Sequence, residues 1–278
     1  MKRKNSRHIL IHLGLILGSA IFFVPFLWTV ITSLKTDAQI QDISSWERIL
    51  IPQPIAFENY LKALRYVDIP RYFLNSVIVS VFSIIGTVIS CSMVAYSFAR
   101  LKWPGRDVLF LVMLSTMMLP PQVTMIPLFL IFTKMHLVNT LVPLFLPCFF
   151  GVPFFIFMLR QFFLTIPGEL EEAAKIDGSG YLGIFLRIML PLIKPALLAV
   201  IVFQFMWTWN DFLNPLIYIH DKEKMTLTIG LQAFNLVHGA EWSLLMAASV
   251  MMTLPVILLF FIAQRYFIEG ITLTGLKG

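Results

Sequence analysis

Charged side chains are scarce in this sequence. Asp, Glu, Lys and Arg together make up 13% of 278 residues, where a water-soluble domain carries about a quarter. So few charges do not cover a globule. With 58% hydrophobic residues and a mean hydropathy of +0.84, the chain is expected to live in a lipid bilayer. The formal charge of +6 then gives no reason to expect nucleic acid as a partner. Cysteine is nearly absent too. Cys91 and Cys148 both lie in apolar runs, which makes them small buried hydrophobes, and no Cys/His spacing suggests a metal site. A phosphate-cradling G-x-x-x-x-G-K-[ST] is missing; Asp177–Gly183, "DGSGYLG", has the glycines without the lysine. Neither H-E-x-x-H nor G-x-S-x-G occurs, so a membrane hydrolase of those types is not expected. There is no triad or metal cluster to make the chain an enzyme. If ATP drives it, another chain binds the ATP and its Mg, and no cofactor is expected here. Internal repeats and low-complexity segments are absent, so one domain over 1–278 is expected.

What is abundant is long apolar sequence. Six stretches reach the roughly 20 residues a bilayer requires: 9–34, 73–98, 108–132, 137–163, 191–213 and 243–263. In lipid the backbone must satisfy its own hydrogen bonds, so each is expected to be helical. The reading is an all-α integral membrane protein of six spans. The first stretch follows Lys2, Arg3 and Lys4 but is too long for a signal-peptide core, and it reads as a retained span. The third and fourth carry Pro120, Pro121, Pro127, Pro143, Pro147 and Pro153. Proline removes a donor and bends a helix, so these spans are expected to be broken or kinked. Lys and Arg favour the cytoplasmic side. Thirteen of the 21 basic residues fall in the N-terminal, 99–107, 164–190 and C-terminal segments or, as Arg160 and Lys194, at the span ends beside them. Both termini are therefore placed in the cytoplasm, with the loop 164–190 inside and the loop 214–242 outside.

The inner loop is unlike its surroundings. Pro167 suits a first helical turn, Glu169, Glu171 and Glu172 suit a helix N-terminus, and Gly178 suits a helix stop. A second helix follows from Ser179 to Met189, with Leu182, Phe185 and Met189 at helical spacing and Ile188 beside them. Pro191 opens the fifth span. By pattern alone this is either a docking site or an amphipathic loop at the membrane surface.

Glu172-Ala173-Ala174, then Gly178, then Ile188-Met189-Leu190-Pro191 resembles the EAA motif of ABC-importer membrane subunits. "PFLWTVITSLK" (25–35), "NSVIVSV" (75–81), "AYSFARLKWPGRD" (95–107), "WNDFLNPL" (209–216) and "GITLTGLKG" (270–278) are similar to one branch of that family. The branch is the carbohydrate-uptake permeases, and specifically the shorter of the two paired maltose/glycerol-3-phosphate-type permeases. The resemblance implies a type I ABC importer permease fold, with coupling helices between spans four and five, in a bacterial cytoplasmic membrane. It implies a second homologous permease (a heterodimer), two copies of an ATPase and an extracytoplasmic solute-binding protein as partners. It places Glu172, Ala173, Ala174, Asp177, Gly178, Phe185, Ile188, Leu190 and Pro191 at the ATPase. The tail departs from the family at Leu273-Thr274, where small residues are usual.

Two further groups stand out. Gln204, Trp207 and Asp211 fall at i, i+3 and i+7 on one helical face, with Asn210 beside them. Amides, a carboxylate and an aromatic platform suit a sugar. Trp207 and Trp209 equally suit an interfacial aromatic belt, with Asp211 capping the span. Gln122, after Pro120-Pro121, is a further path candidate at a kink. In the outer loop, the resemblance makes Gly230, Gln232, Phe234, Asn235 and Gly239 candidates for contact with the binding protein; a solvated connector is the alternative. Beside the sugar permease stand two other readings: an importer permease for a non-sugar solute, and an autonomous carrier or channel. The last needs a buried ion-coupling site, and no acid or base lies at the centre of any span.

Overall fold

The computed structural model describes residues 2–236 and 241–274. Among these residues there are helices and turns and no strand. In chain order the helices are α1 (Lys2–Ser33), α2 (Asp37–Gln41), α3 (Trp46–Leu50), α4 (Glu58–Tyr66), α5 (Ile69–Arg100), α6 (Arg106–Thr116), α7 (Pro121–Lys134), α8 (Val142–Phe145) and α9 (Pro153–Thr165). There follow α10 (Glu169–Ile176), α11 (Tyr181–Ile184), α12 (Leu190–Leu192), α13 (Lys194–Trp209), α14 (Leu213–Tyr218), α15 (Leu227–Leu236) and α16 (Trp242–Thr274). The stretches Ile11–Ser33, Ile69–Arg100, Val142–Thr165 and Trp242–Gln264 are each long and apolar enough to cross a bilayer. Two bent helix pairs bring the number to six if each pair is one span.

Prolines decide where the bends fall. The stretch expected as a span over 108–132 is two helices, α6 and α7, at 98° to each other. Pro121 is the first residue of α7, and Pro120 before it is extended (φ −58°, ψ 137°). A residue preceding proline is pushed out of the helical region, and the proline itself has no N–H to continue the ladder. The chain therefore turns through short i→i+3 bonds, Met117 N–H to Leu114 O at 3.0 Å and Leu119 N–H to Thr116 O at 3.2 Å. The stretch 137–163 comprises α8, a 3-10 turn (Leu146–Phe150) and α9, divided at Gly151. The stretch 191–213 is shorter than expected: α13 begins at Lys194 and ends at Trp209, bent by 78° from the helical segment Tyr181–Leu192.

The chain packs as two compact units. One comprises 1–70 with 230–255, the other 71–229 with 256–278. In the first, the turn after α1 is organised by buried Asn59, whose Nδ2 donates to Ser33 O (2.8 Å) and Lys35 O (2.7 Å). Thr36 and Gln39 form a reciprocal capping box at the start of α2, which satisfies two otherwise orphan donors. Lys35 Nζ donates to the carbonyls of Arg48 and Ile49 at the end of α3, and burial lowers its pKa.

The second unit contains an extended hydrophobic core. Small residues of α5, Cys91, Ala95 and Ala99, let it approach Phe155, Leu159 and Phe163 of α9. Ile184, Phe185, Met189, Ile193, Ala196 and Val200 complete the cluster. Between helices in lipid, association depends on this close van der Waals fit. Gly86 is part of the same logic: a Cβ there would sit 2.6 Å from the Phe149 ring.

Candidate functional site

The loop between α9 and α13 is built as two faces of one short helix. α10 starts after Gly168, whose carbonyl receives the N–H groups of Glu171 (3.0 Å) and Glu172 (3.1 Å). Three acids in its first turn, Glu169, Glu171 and Glu172, match the positive end of the helix dipole. It stops in a paired motif: Gly178 N–H donates to Lys175 O (3.0 Å) and Ser179 N–H to Ala174 O (2.9 Å). These are the two bonds of a Schellman ending, which requires a left-handed residue, and Gly178 has φ +79°. Space is not the reason for glycine, since a Cβ would meet nothing within 4 Å.

Glu172, Ala173, Ile176, Asp177 and Gly178 are exposed, and Ile176 is 86% exposed. Tyr181 and Leu182 across the turn are exposed as well, and Lys175 Nζ lies 5.4 Å from the Tyr181 ring centre. Glu171 and Ala174 face inward. Two of the expected docking residues thus face inward. Ala174 lies three residues after Glu171, on the same inner face, and is buried in the chain's own core, as is Phe185. Ile188 and Leu190 are partly buried and Pro191 is exposed. The expected stripe Leu182–Phe185–Met189 is also divided. Phe185–Met189 is a π-turn, closed by Leu190 N–H to Phe185 O. The wider turn precedes Pro191, which has no N–H of its own. It brings Phe185 and Met189 onto the face of Ile184 and leaves Leu182 outside it.

Sequence reasoning missed how the inner face is held. Glu171 Oε1 lies 3.6 Å from Arg100 Nε, both side chains being nearly buried. In the sequence Arg100 is simply one of the basic residues of the 99–107 segment. The signal available was a lone arginine at the end of an apolar span.

A cleft of about 420 Å³ opens between α7, the segment from α8 through the 3-10 turn, the end of α13, and α14. Gln122, Gln204, Trp207 and Asp211 all line it, with Thr124, Thr208, Asn214 and Tyr218. Asn210 does not; its Nδ2 donates to Met206 O at 2.8 Å. Gln204 is buried, donates from Nε2 to Thr208 Oγ1 (2.9 Å), and accepts no hydrogen bond at Oε1 among the described residues. Trp207 is half-exposed, with its ring 4.9 Å from Phe155 and 5.6 Å from Phe154. α13 ends before Asp211, so the shared helical face expected for it is lost. Its carboxylate instead accepts from Asn214 N–H (3.2 Å) and Asn214 Nδ2 (2.8 Å), starting α14. Asn214 was three residues away and unnoticed. A second hollow of about 550 Å³, in the 1–70 unit, is lined by Gln39, Asp42, Arg48 and Gln53 and has no aromatic platform.

The described part of the 214–242 segment is held by specific contacts. Asn75 Nδ2 donates to Glu223 O (3.0 Å) and Met225 O (2.9 Å), and Ser76 Oγ accepts from Leu227 N–H (2.9 Å). α15 then carries Gly230 and Phe234 on its buried side, Phe234 stacked at 5.1 Å on Tyr66. Both take part in the chain's own packing. Gln232 is half-buried. The side chain of Asn235, all of Gly239, and Leu273-Thr274 as side chains lie outside the described residues.

The chain is similar to known proteins over most of its length. The "Arabinooligosaccharides transport system permease protein AraQ" of Bacillus subtilis is 35% identical over 261 residues, covering 94% of this chain and 92% of that protein. The "Diacetylchitobiose uptake system permease protein NgcG" of Streptomyces coelicolor is 38% identical over 257 residues, covering 91% and 84%. The fold matches a chain of a bacterial ABC transporter involved in the import of the acidic polysaccharide alginate, with a TM-score of 0.81, 23% identity, and coverage of 96% and 98%. The two sequence relatives are transport-system permeases, and the solved structure shares the fold. Residues 86–272 match a family model, and the chain belongs to that family, the binding-protein-dependent transport system inner membrane components.

Proposed function

We propose that this chain is one of two homologous permeases of a sugar importer and forms half of its translocation path. The observation that carries this is the exposed face of α10, Glu172, Ala173 and Ile176, standing at the Gly178 turn of a chain that has no phosphate-binding motif. That face presents one acid, one smooth alanine and one large apolar side chain to a partner. An ATPase, present in two copies and holding ATP and Mg, is the partner this reading assigns. Closure of the ATPase pair would draw the two coupling loops together and shift the permease pair from inward-open to outward-open. The shift is a rigid-body change of a kind that binding energy biases. An extracytoplasmic binding protein delivers the solute. Residues 1–278 act as one transmembrane domain with both termini in the cytoplasm of a bacterium; the family match runs through both compact units.

A sugar is favoured by the two relatives, named for arabinooligosaccharides and diacetylchitobiose, and by the cleft chemistry. Gln204 offers an unfilled amide oxygen, Asp211 a carboxylate and Trp207 a ring. The solute is a di- or oligosaccharide, or a related polyol or glycerol phosphate. The test is gentle purification from the native membrane, with mass spectrometry of what accompanies the chain, followed by uptake with the same complex. A stoichiometric P-loop ATPase, a second multi-span permease and saturable sugar uptake are expected. Uptake of a non-sugar solute alone would overturn the sugar assignment. A chain that purifies by itself, where known complexes survive, would overturn the importer. Glu172→Arg is expected to release the ATPase and abolish uptake while the chain stays in the membrane.

A further inference from the structure

Arg100 ends α5, and the two carbonyls it serves end α9. Its Nη2 donates to the oxygens of Phe163 and Ile166, at the end of α9 where carbonyls lose their i+4 partners; the Phe163 oxygen also accepts from Ile166 N–H (3.3 Å). Its Nε lies 3.6 Å from Glu171 Oε1, in the first turn of α10. One guanidinium thus meets two helix C-termini and an N-terminal carboxylate. Each sign is the favourable one for its helix end. The side chains are 12% and 9% exposed, so solvent ions screen the pair little. Tyr96, one turn before Arg100, closes the same junction. Its ring lies 5.7 Å from Phe163 and 5.2 Å from Phe185.

α9 extends the connection. Its last turn is held by Arg100, and its first turn, at Phe154 and Phe155, packs on Trp207 of the cleft. α10 carries the other half: Glu171 and Ala174 on the inner face, Glu172, Ala173 and Ile176 on the outer. We propose that the Arg100–Glu171 pair is the latch that makes α10 move as one body with the ends of α5 and α9. A displacement imposed on the outer face then reaches Trp207 through α9. Without the latch, the helix is joined to its neighbours by the turns at Gly168 and Gly178–Gly180 and by apolar contact. Arg100 and Glu171 are positioning residues, touching neither ATP nor solute. The inference rests on α10 being the docking helix.

The test uses the intact complex in proteoliposomes and reads solute taken up per ATP hydrolysed. Glu171→Gln is expected to keep the ATPase bound and hydrolysing while uptake per ATP falls about tenfold, within the range of coupling between sites. Arg100→Lys, which keeps the charge but not the forked donor, is expected to fall between Glu171→Gln and wild type. Glu172→Arg separates the two claims, because it acts on docking alone. If Glu172→Arg leaves the ATPase bound and uptake normal, the docking reading fails. If Glu172→Arg releases the ATPase but Glu171→Gln and Arg100→Lys leave the ratio at the wild-type value, the latch alone fails. Failure of both latch variants to accumulate in the membrane would assign the pair to folding and likewise overturn it.

Discussion

Glu171 and Glu172 are adjacent in sequence, yet one faces the chain's interior and the other faces out from the same helix. The first is buried 3.6 Å from Arg100, and the second is exposed. A helix turns about 100° per residue, so a two-turn amphipathic segment between membrane spans can grip its own chain with one face and a partner with the other.

The outer face makes a specific prediction about Ile176. A side chain this exposed contributes little to the isolated chain, and Ile176→Asp is expected to leave membrane insertion and thermal stability unchanged, within about 0.5 kcal/mol for a surface site. In the complex it is expected to weaken ATPase association strongly, as loss of an apolar anchor does. Co-purification yield against permease thermal stability checks both halves.

Gly178 is required for its backbone angle. Gly178→Ala places a side chain at φ +79° in open space, so the expected cost is conformational, about 1–2 kcal/mol. Gly178→Asn is expected to cost less, because asparagine tolerates the left-handed region. Ranking the two by thermal unfolding of the purified complex is the measurement; equal losses would point to a steric role.

Gln204 and Trp207 are expected to matter to the solute and not to the ATPase. Gln204→Leu removes the free amide oxygen and the bond to Thr208. Because a buried polar site selects its ligand through paired groups, uptake should fall while basal ATP hydrolysis and ATPase association persist. Trp207→Ala is expected to act in the same direction, with Phe154 and Phe155 losing their ring partner. Asn210→Ala, outside the cleft, serves as the control.

Acid should act on the loop after α1 through Asp42. Hydrogen bonds from Ser44, and then Arg48, hold its carboxyl down at about 2 from 3.8. A depressed folded pKa stabilises the loop above the unfolded value and ceases to do so as pH falls through the folded one. The contribution is therefore complete above about pH 4 and is lost between there and about pH 2. NMR titration of labelled Asp42 checks the value, and Asp42→Asn should remove that part of the acid dependence.

Much of the architecture was decided by composition and short motifs. Scarce charge and six apolar stretches require helices, since a lipid-exposed backbone has no other way to satisfy its hydrogen bonds. Pro120-Pro121 required a break, and the α6–α7 bend of 98° stands there. The acids suit the positive end of a helix dipole, the alanines favour helix and Gly178 supplies a left-handed stop, so the short helix is legible from neighbouring residues. Tertiary structure alone decided which side of each element faces inward. Ala173 and Ala174 are identical by composition, yet only Ala174 shares its face with Glu171 and the core. Phe234 was legible as an aromatic in a loop; Tyr66, more than 160 residues earlier, is what buries it. Gln122, Gln204 and Asp211 line one cleft only because three separated segments converge. Arg100 reaches Glu171 only because α5 and α9 end at the same place. Local propensity acts between residues a few positions apart, whereas ion pairs, buried rings and clefts depend on distances that the chain sets only after it has packed.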